Sequence, residues 1–191
     1  MMKGSRHNFP TCGLMIRCKH RSMSCFSQIL AAVTSGVFAG GAYAAPLAVG
    51  APLPAVEQNN QDGKIVKLSE EDGSGYLLVY FYPKADTPGC TKRACSLRDS
   101  YILLTEKGVK IYGVSMDKIP AQKAFKDKYK LPFDLLADSD GKVVDAFGVP
   151  KTMGFSKRQA FLFKDGMLVW SDLSASTEEQ AADVIKFLAA N

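Results

Sequence analysis

Tyr76-Leu77-Leu78-Val79-Tyr80-Phe81-Tyr82, closed by Pro83, is a continuous apolar and aromatic run. Alternation between a wet and a dry face is missing, so the run reads as a strand buried on both sides, central in its sheet. Upstream, Asn59 to Lys64 is a polar turn between short β-prone segments ending at Leu68, which predicts an N-terminal hairpin after the Pro-rich start Pro46, Pro52, Pro54. Downstream, Pro88 to Glu106 reads as a helix, Val109 to Ser115 as a strand, Pro120 to Tyr129 as a helix and Phe133 to Leu136 as a short strand.

The remainder continues this alternation. Asp140 to Phe147 reads as a short helix. Gln159 to Phe163 and Met167 to Trp170 form a hairpin around Lys164-Asp165-Gly166, and Thr177 to Ala190 is a last amphipathic helix that Thr177 can cap, with Glu178 and Glu179 in its first turn. This order predicts an α/β fold with a central mixed sheet flanked by helices, compatible with a thioredoxin-like core carrying an N-terminal β-hairpin extension. Asp138-Ser139-Asp140-Gly141 resembles a calcium loop only in part. With Gly141 at the loop glycine, Leu136 and Phe147 would fill the first and twelfth ligand positions, and neither binds a hard cation.

The first 56 residues contain no Asp or Glu, and Lys3, Arg6, Arg17, Lys19 and Arg21 precede a weakly apolar stretch from Ile29 to Tyr43. With Ala42-Tyr43-Ala44 after it, this is the layout of a cleavable export signal over residues 1–44, with Ala45 as the new N-terminus and residues 45–191 as a single domain. An organellar transit peptide is the alternative, because Ser and Thr are frequent and acids absent; a start at Met15 would give a leader of more ordinary length. A retained membrane anchor fits less well, since Thr34, Ser35, Gly36, Gly40 and Gly41 interrupt the stretch. The expected location is therefore periplasmic or secreted, or else organellar, with no stable membrane insertion after processing.

Five of the 24 Lys and Arg belong to that leader, and the other 19 balance 19 Asp and Glu. A neutral domain has no electrostatic footprint for nucleic acid. The leader also holds Cys12, Cys18, Cys25 and both histidines, His7 and His20, so the domain keeps Cys90, Cys95 and no imidazole. Ser-His-Asp and Cys-His catalysis are thereby excluded, as are most zinc and iron sites.

Cys90 follows the buried strand, in Pro83-Lys84-Ala85-Asp86-Thr87-Pro88-Gly89-Cys90-Thr91-Lys92-Arg93-Ala94-Cys95. Thr87 can cap the next helix, Pro88 suits its first position, and Cys90 falls in the first turn. Free N–H groups and the positive end of the helix dipole favour a thiolate there. A thiolate attacks a peroxide O–O bond without metal or organic cofactor. Two nearby cysteines in an exported domain read equally well as a stabilising disulfide.

The spacing Pro83-x-x-x-Thr87-x-x-Cys90 resembles the active-site motif of the peroxiredoxins. Tyr80-Phe81-Tyr82-Pro83-Lys84, Thr87-Pro88-Gly89-Cys90-Thr91, Cys95 and Leu97-Arg98-Asp99 resemble the bacterioferritin-comigratory, or Q-type, subfamily. The resemblance implies a peroxidatic Cys90 and a resolving Cys95 that closes an intramolecular disulfide. It further implies a Pro83 that shields the thiolate, a Thr87 whose hydroxyl orients the peroxide, and an active-site arginine matching Arg158, with Arg98 as the rival. Substrates would be hydrogen peroxide and organic hydroperoxides, and the reductant a thioredoxin-like or other dithiol protein. No cofactor is implied, and without an extended subunit-bridging C-terminus a monomer is expected.

Two departures from the pattern stand out. Arg93 occupies a position where relatives often carry Glu or Gln, and the segment between Val149 and Arg158 is short. General disulfide exchange is the competing activity, disfavoured by the lack of Cys-x-x-Cys. A non-enzymatic module with a structural disulfide is the third reading.

Overall fold

The structure is a computed structural model that describes residues 45–71, 75–176 and 178–190. The leader and the proposed cap Thr177 lie outside the described residues.

The central run forms β3 (Tyr76–Phe81), the middle strand of a five-stranded sheet. Its side chains alternate between two cores. Leu78, Tyr80 and the following Tyr82 enter one, while Leu77, Val79 and Phe81 enter the other, as a strand with period-two side chains and two covered faces must. β4 (Val109–Ser115) lies parallel to β3, and β5 (Asp134–Ala137) parallel to β4. On the other side β8 (Gln159–Lys164) runs antiparallel to β3, and β9 (Met167–Asp172) antiparallel to β8. The sheet is mixed, in the order β5-β4-β3-β8-β9.

One face is covered by α1 (Pro88–Asp99), α2 (Tyr101–Glu106), α3 (Ile119–Tyr129) and α5 (Gln180–Ala190), which contribute Ala94, Leu97, Leu104, Phe125 and Val184 to the first core. The other is covered by the short α4 (Lys142–Ala146) and by N-terminal residues including Val66 and Leu68. The N-terminal hairpin is present as β1 (Glu57–Asn59) paired antiparallel with β2 (Ile65–Lys67). The expected α/β fold with a mixed central sheet and flanking helices is the fold observed.

Two local features differ from the sequence reading, and the Asp138 to Gly141 turn leads into a helix as that reading has it. The helix expected over Pro88 to Glu106 is two helices, because Ser100, a weak helix former, takes φ −97° and ψ 6° between them. A small hairpin of β6 (Lys151–Thr152) and β7 (Phe155–Ser156) turns through Met153 and Gly154, both at positive φ. The Asp138 to Gly141 turn is a helix start: buried Asp138 accepts the Val143 and Val144 amides at 3.1 and 2.9 Å, and Asp140 pairs with Lys142. Those bonds satisfy the open N-terminal amides of α4, the same work a capping aspartate does.

Candidate active site

Parallel β3 and β4 deliver their C-terminal ends to one edge, and antiparallel β8 begins at that same edge. Ligand sites of α/β sheets form at such crevices. Residues from all three strands and from the first turn of α1 meet there.

Pro83 stands two residues past the end of β3, and the chain then makes a short loop to Thr87. Two anchors hold that loop. Asp117, just past β4, accepts the Ala85 amide at 2.7 Å and the Ser115 hydroxyl at 2.8 Å. Asp86, at φ 56°, accepts the Tyr129 hydroxyl at 2.6 Å and the Lys128 ammonium at 2.8 Å. A left-handed conformation is one that aspartate tolerates better than most residues. Those donors hold the Asp86 carboxyl below its usual range.

Thr87 is the N-cap of α1 by its extended backbone, and its carbonyl accepts the Thr91 amide at 2.9 Å. Its hydroxyl makes no capping bond. It donates instead to the Lys84 carbonyl at 3.1 Å, a local side-chain bond that competes with the cap and leaves the hydroxyl oxygen free to accept. The expected side-chain cap is thus replaced by a bond that braces the Pro83–Thr87 loop. Pro88 occupies the start of the helix, as its missing N–H allows.

Cys90 lies in the first turn of α1 with 1 % of its surface exposed, while Cys95 is half-buried; both are free thiols on the same helix. Arg158 Nη2 stands 3.5 Å from Cys90 Sγ. The β6–β7 hairpin places that arginine: Lys157 donates to the Pro150 carbonyl at 2.8 Å, and the buried Ser156 hydroxyl to the Tyr82 carbonyl at 2.9 Å. The short Val149-to-Arg158 segment therefore closes on itself and on the end of β3. Arg98 points elsewhere, to the Tyr129 carbonyl at 2.9 Å and to Asp99 at 2.8 Å.

Arg93, one turn beyond Cys90, is fully buried. Its guanidinium donates to the Phe81 carbonyl at 3.0 Å, the Gln159 carbonyl at 3.1 Å and the Gln180 side-chain oxygen, and lies 5.1 Å from the Tyr80 ring. Nothing in the sequence marked it as interior, because arginine is rarely buried. Asp117 was missed as well; its position just beyond a parallel strand's C-terminal end was the available signal. A cleft of about 430 Å³ opens on the Arg158 side of the site, lined by Pro83, Phe155, Lys157, Arg158 and Leu173 among others.

Pro83, Thr87, Cys90 and Arg158 are thus brought to one place, with Cys95 on the same helix. Residues 49–171 match the AhpC/TSA family. Over 149 residues, 75% of this chain and 69% of the relative, the sequence is 40% identical to the chloroplastic peroxiredoxin Q of Suaeda salsa. The chain spans 46 to 66% of the length of the next curated relatives it matches. Among solved structures, the peroxidoxin BcpB of Mycobacterium tuberculosis superimposes with a TM-score of 0.70 at 30% identity, over 74% of this chain and 96% of that one. The Xanthomonas campestris bacterioferritin comigratory protein does so at 0.68 and 28% identity, over 77% and 98%. Overall fold and sequence agree, and the chain belongs to the AhpC/TSA family, in its peroxiredoxin Q and bacterioferritin-comigratory branch.

Proposed function

We propose that this peroxiredoxin reduces hydrogen peroxide and organic hydroperoxides through Cys90. The observation that carries the reading is the pairing of a buried thiol in the first turn of a helix with the Arg158 guanidinium 3.5 Å away. The Cys90 thiolate attacks one peroxide oxygen, the O–O bond breaks, and the leaving oxygen departs as water or alcohol after taking up a proton. Sulfur is oxidised to a sulfenic acid. Arg158 stabilises the thiolate and the charge that develops on oxygen, and the Thr87 hydroxyl, free to accept, holds the peroxide proton. Pro83 covers the thiolate against water.

Cys95 then attacks the sulfenic sulfur, expelling water and closing a disulfide within one subunit, so the cycle needs only a monomer. An external dithiol protein reopens the disulfide by exchange and leaves with its own. The alkyl peroxide reduction activity of the Xanthomonas relative supports organic hydroperoxides as substrates. Peroxide consumption by the purified protein with dithiothreitol tests the activity, and insulin-disulfide reduction without peroxide turnover would favour the exchange reading.

Residues 1–44 act in this reading as a cleavable leader. The chloroplastic relatives favour an organellar destination over a periplasmic or secreted one. Sequencing the native N-terminus should find Ala45 or a near neighbour, and a full-length form as the sole species would end the proposal.

A further inference from the structure

Arg93 carries a full charge in a place where its acceptors carry none. Its hydrogen-bond partners are the Phe81 and Gln159 carbonyls and the Gln180 amide oxygen, all neutral, and its Nε is buried without a partner. Phe81 and Gln159 face each other across β3 and β8, so the guanidinium spans the junction of the strands that carry Pro83 and Arg158. A buried cation without an anion is unfavourable, and any negative charge formed nearby is favoured in proportion.

Cys90 is the group placed to supply that charge. It sits three residues earlier on α1, so the two side chains share one face of the helix, and both are buried. Among the described residues no anion bonds directly to the arginine. Tyr80, on β3, is held protonated because burial pushes its phenol well above the usual range. Arg158 adds a second cation, Cys95 lies further along α1, and Asp172 on β9 acts on Arg93 without bonding to it. Lys92 and Glu178 pair with each other at the surface. Burial pulls Arg93 down to about 10, so it remains cationic at neutral pH.

We propose that Arg93 is a positioning residue for the peroxidase reaction. Its unneutralised guanidinium, clamped across β3 and β8 beneath the first turn of α1, favours the Cys90 thiolate through space and supplements Arg158 without touching the peroxide. The inference rests on Cys90 being the attacking sulfur. It also gives a specific sense to arginine at this position: a cation held by carbonyls keeps its field, whereas one paired with a carboxylate would lose it.

The test is the pH profile of Cys90 oxidation by a limiting pulse of hydrogen peroxide in the Cys95→Ser protein, read by mass spectrometry of the Cys90 peptide. Arg93→Gln, which can still donate to the carbonyls, should move the profile up by about one pH unit, a loss of rate of up to about tenfold on its acid limb that closes on its alkaline plateau. Arg93→Lys should retain most of the original profile. Gln180→Glu keeps the clamp and places an anion on the guanidinium, so it should shift the profile in the same direction as Arg93→Gln even if that variant folds poorly. Superimposable profiles for Gln180→Glu and the parent would overturn the proposal, as would a deficit of equal size at every pH, the mark of a merely structural role. Absence of Cys90 oxidation in the parent protein would instead overturn the peroxidase reading on which it stands.

Discussion

Arg158 Nη2 and Cys90 Sγ stand 3.5 Å apart, joining residues 68 positions distant in the chain. The contact exists because the β6–β7 hairpin folds back onto the end of β3, fixing the residue just before β8. A guanidinium at that distance stabilises sulfur as an anion and donates to a developing oxyanion. Arg158→Ala should therefore slow sulfenic acid formation at Cys90 by about a hundredfold at neutral pH, with the fold retained. Stopped-flow peroxide consumption in a single turnover reads this out, and Arg98→Ala should be nearly silent in the same assay.

The proposed Cys90–Cys95 disulfide meets a geometric obstacle. Five residues apart on one helix, their Cα atoms are about 8 to 9 Å from each other and face different directions, while a disulfide needs less than about 7 Å. For that proposed bond to form, at least one turn of α1 has to unwind after Cys90 is oxidised. Hydrogen exchange across Thr87 to Asp99 should be slow in the reduced protein and fast in the disulfide form. Equal protection in both would mean that Cys95 resolves Cys90 in another way or not at all.

Local periodicity and capping rules reach as far as placing Cys90 in the first turn of a helix after a buried strand stopped by Pro83, while the roles proposed for Pro83, Thr87 and Cys95 came through resemblance. Arg158 came only through resemblance, since its approach to Cys90 depends on a hairpin with two-residue strands too short to leave a pattern. The Thr87 hydroxyl was read as a helix cap, yet the Lys84 carbonyl competes for it successfully. The partners of Arg93 and Asp117 were illegible for a further reason. The roles of these two residues rest on main-chain carbonyls and amides of distant strands and loops, groups that every residue possesses and that no sequence distinguishes.

Asp117 holds the loop between Pro83 and Thr87 through the Ala85 amide. Asp117→Ala should free that loop and misplace both residues, lowering the rate of peroxide attack by about tenfold while far-ultraviolet circular dichroism stays unchanged. Asp117→Asn keeps an acceptor and should lose less. The comparison of the two in one kinetic series checks the assignment.

Gly113, opposite Tyr80 in the β3–β4 pairing, has no room for a side chain: an added Cβ would lie 2.7 Å from Tyr80 Oη and 2.7 Å from Leu135 Cδ2. Gly113→Ala should destabilise the fold by about 1 to 3 kcal/mol, measured by urea unfolding. Because Tyr80 stacks against Arg93, peroxidase activity should fall in the folded protein as well.

The most direct test of the whole account is peptide-level mass spectrometry after one equivalent of hydrogen peroxide, run on the parent, Cys90→Ser and Cys95→Ser proteins. The account predicts a Cys90–Cys95 disulfide in the parent, a sulfenic acid on Cys90 alone in Cys95→Ser, and unconsumed peroxide with Cys95 unmodified in Cys90→Ser. Equal peroxide consumption by the two variants, or oxidation of Cys95 when Cys90 is absent, would contradict it.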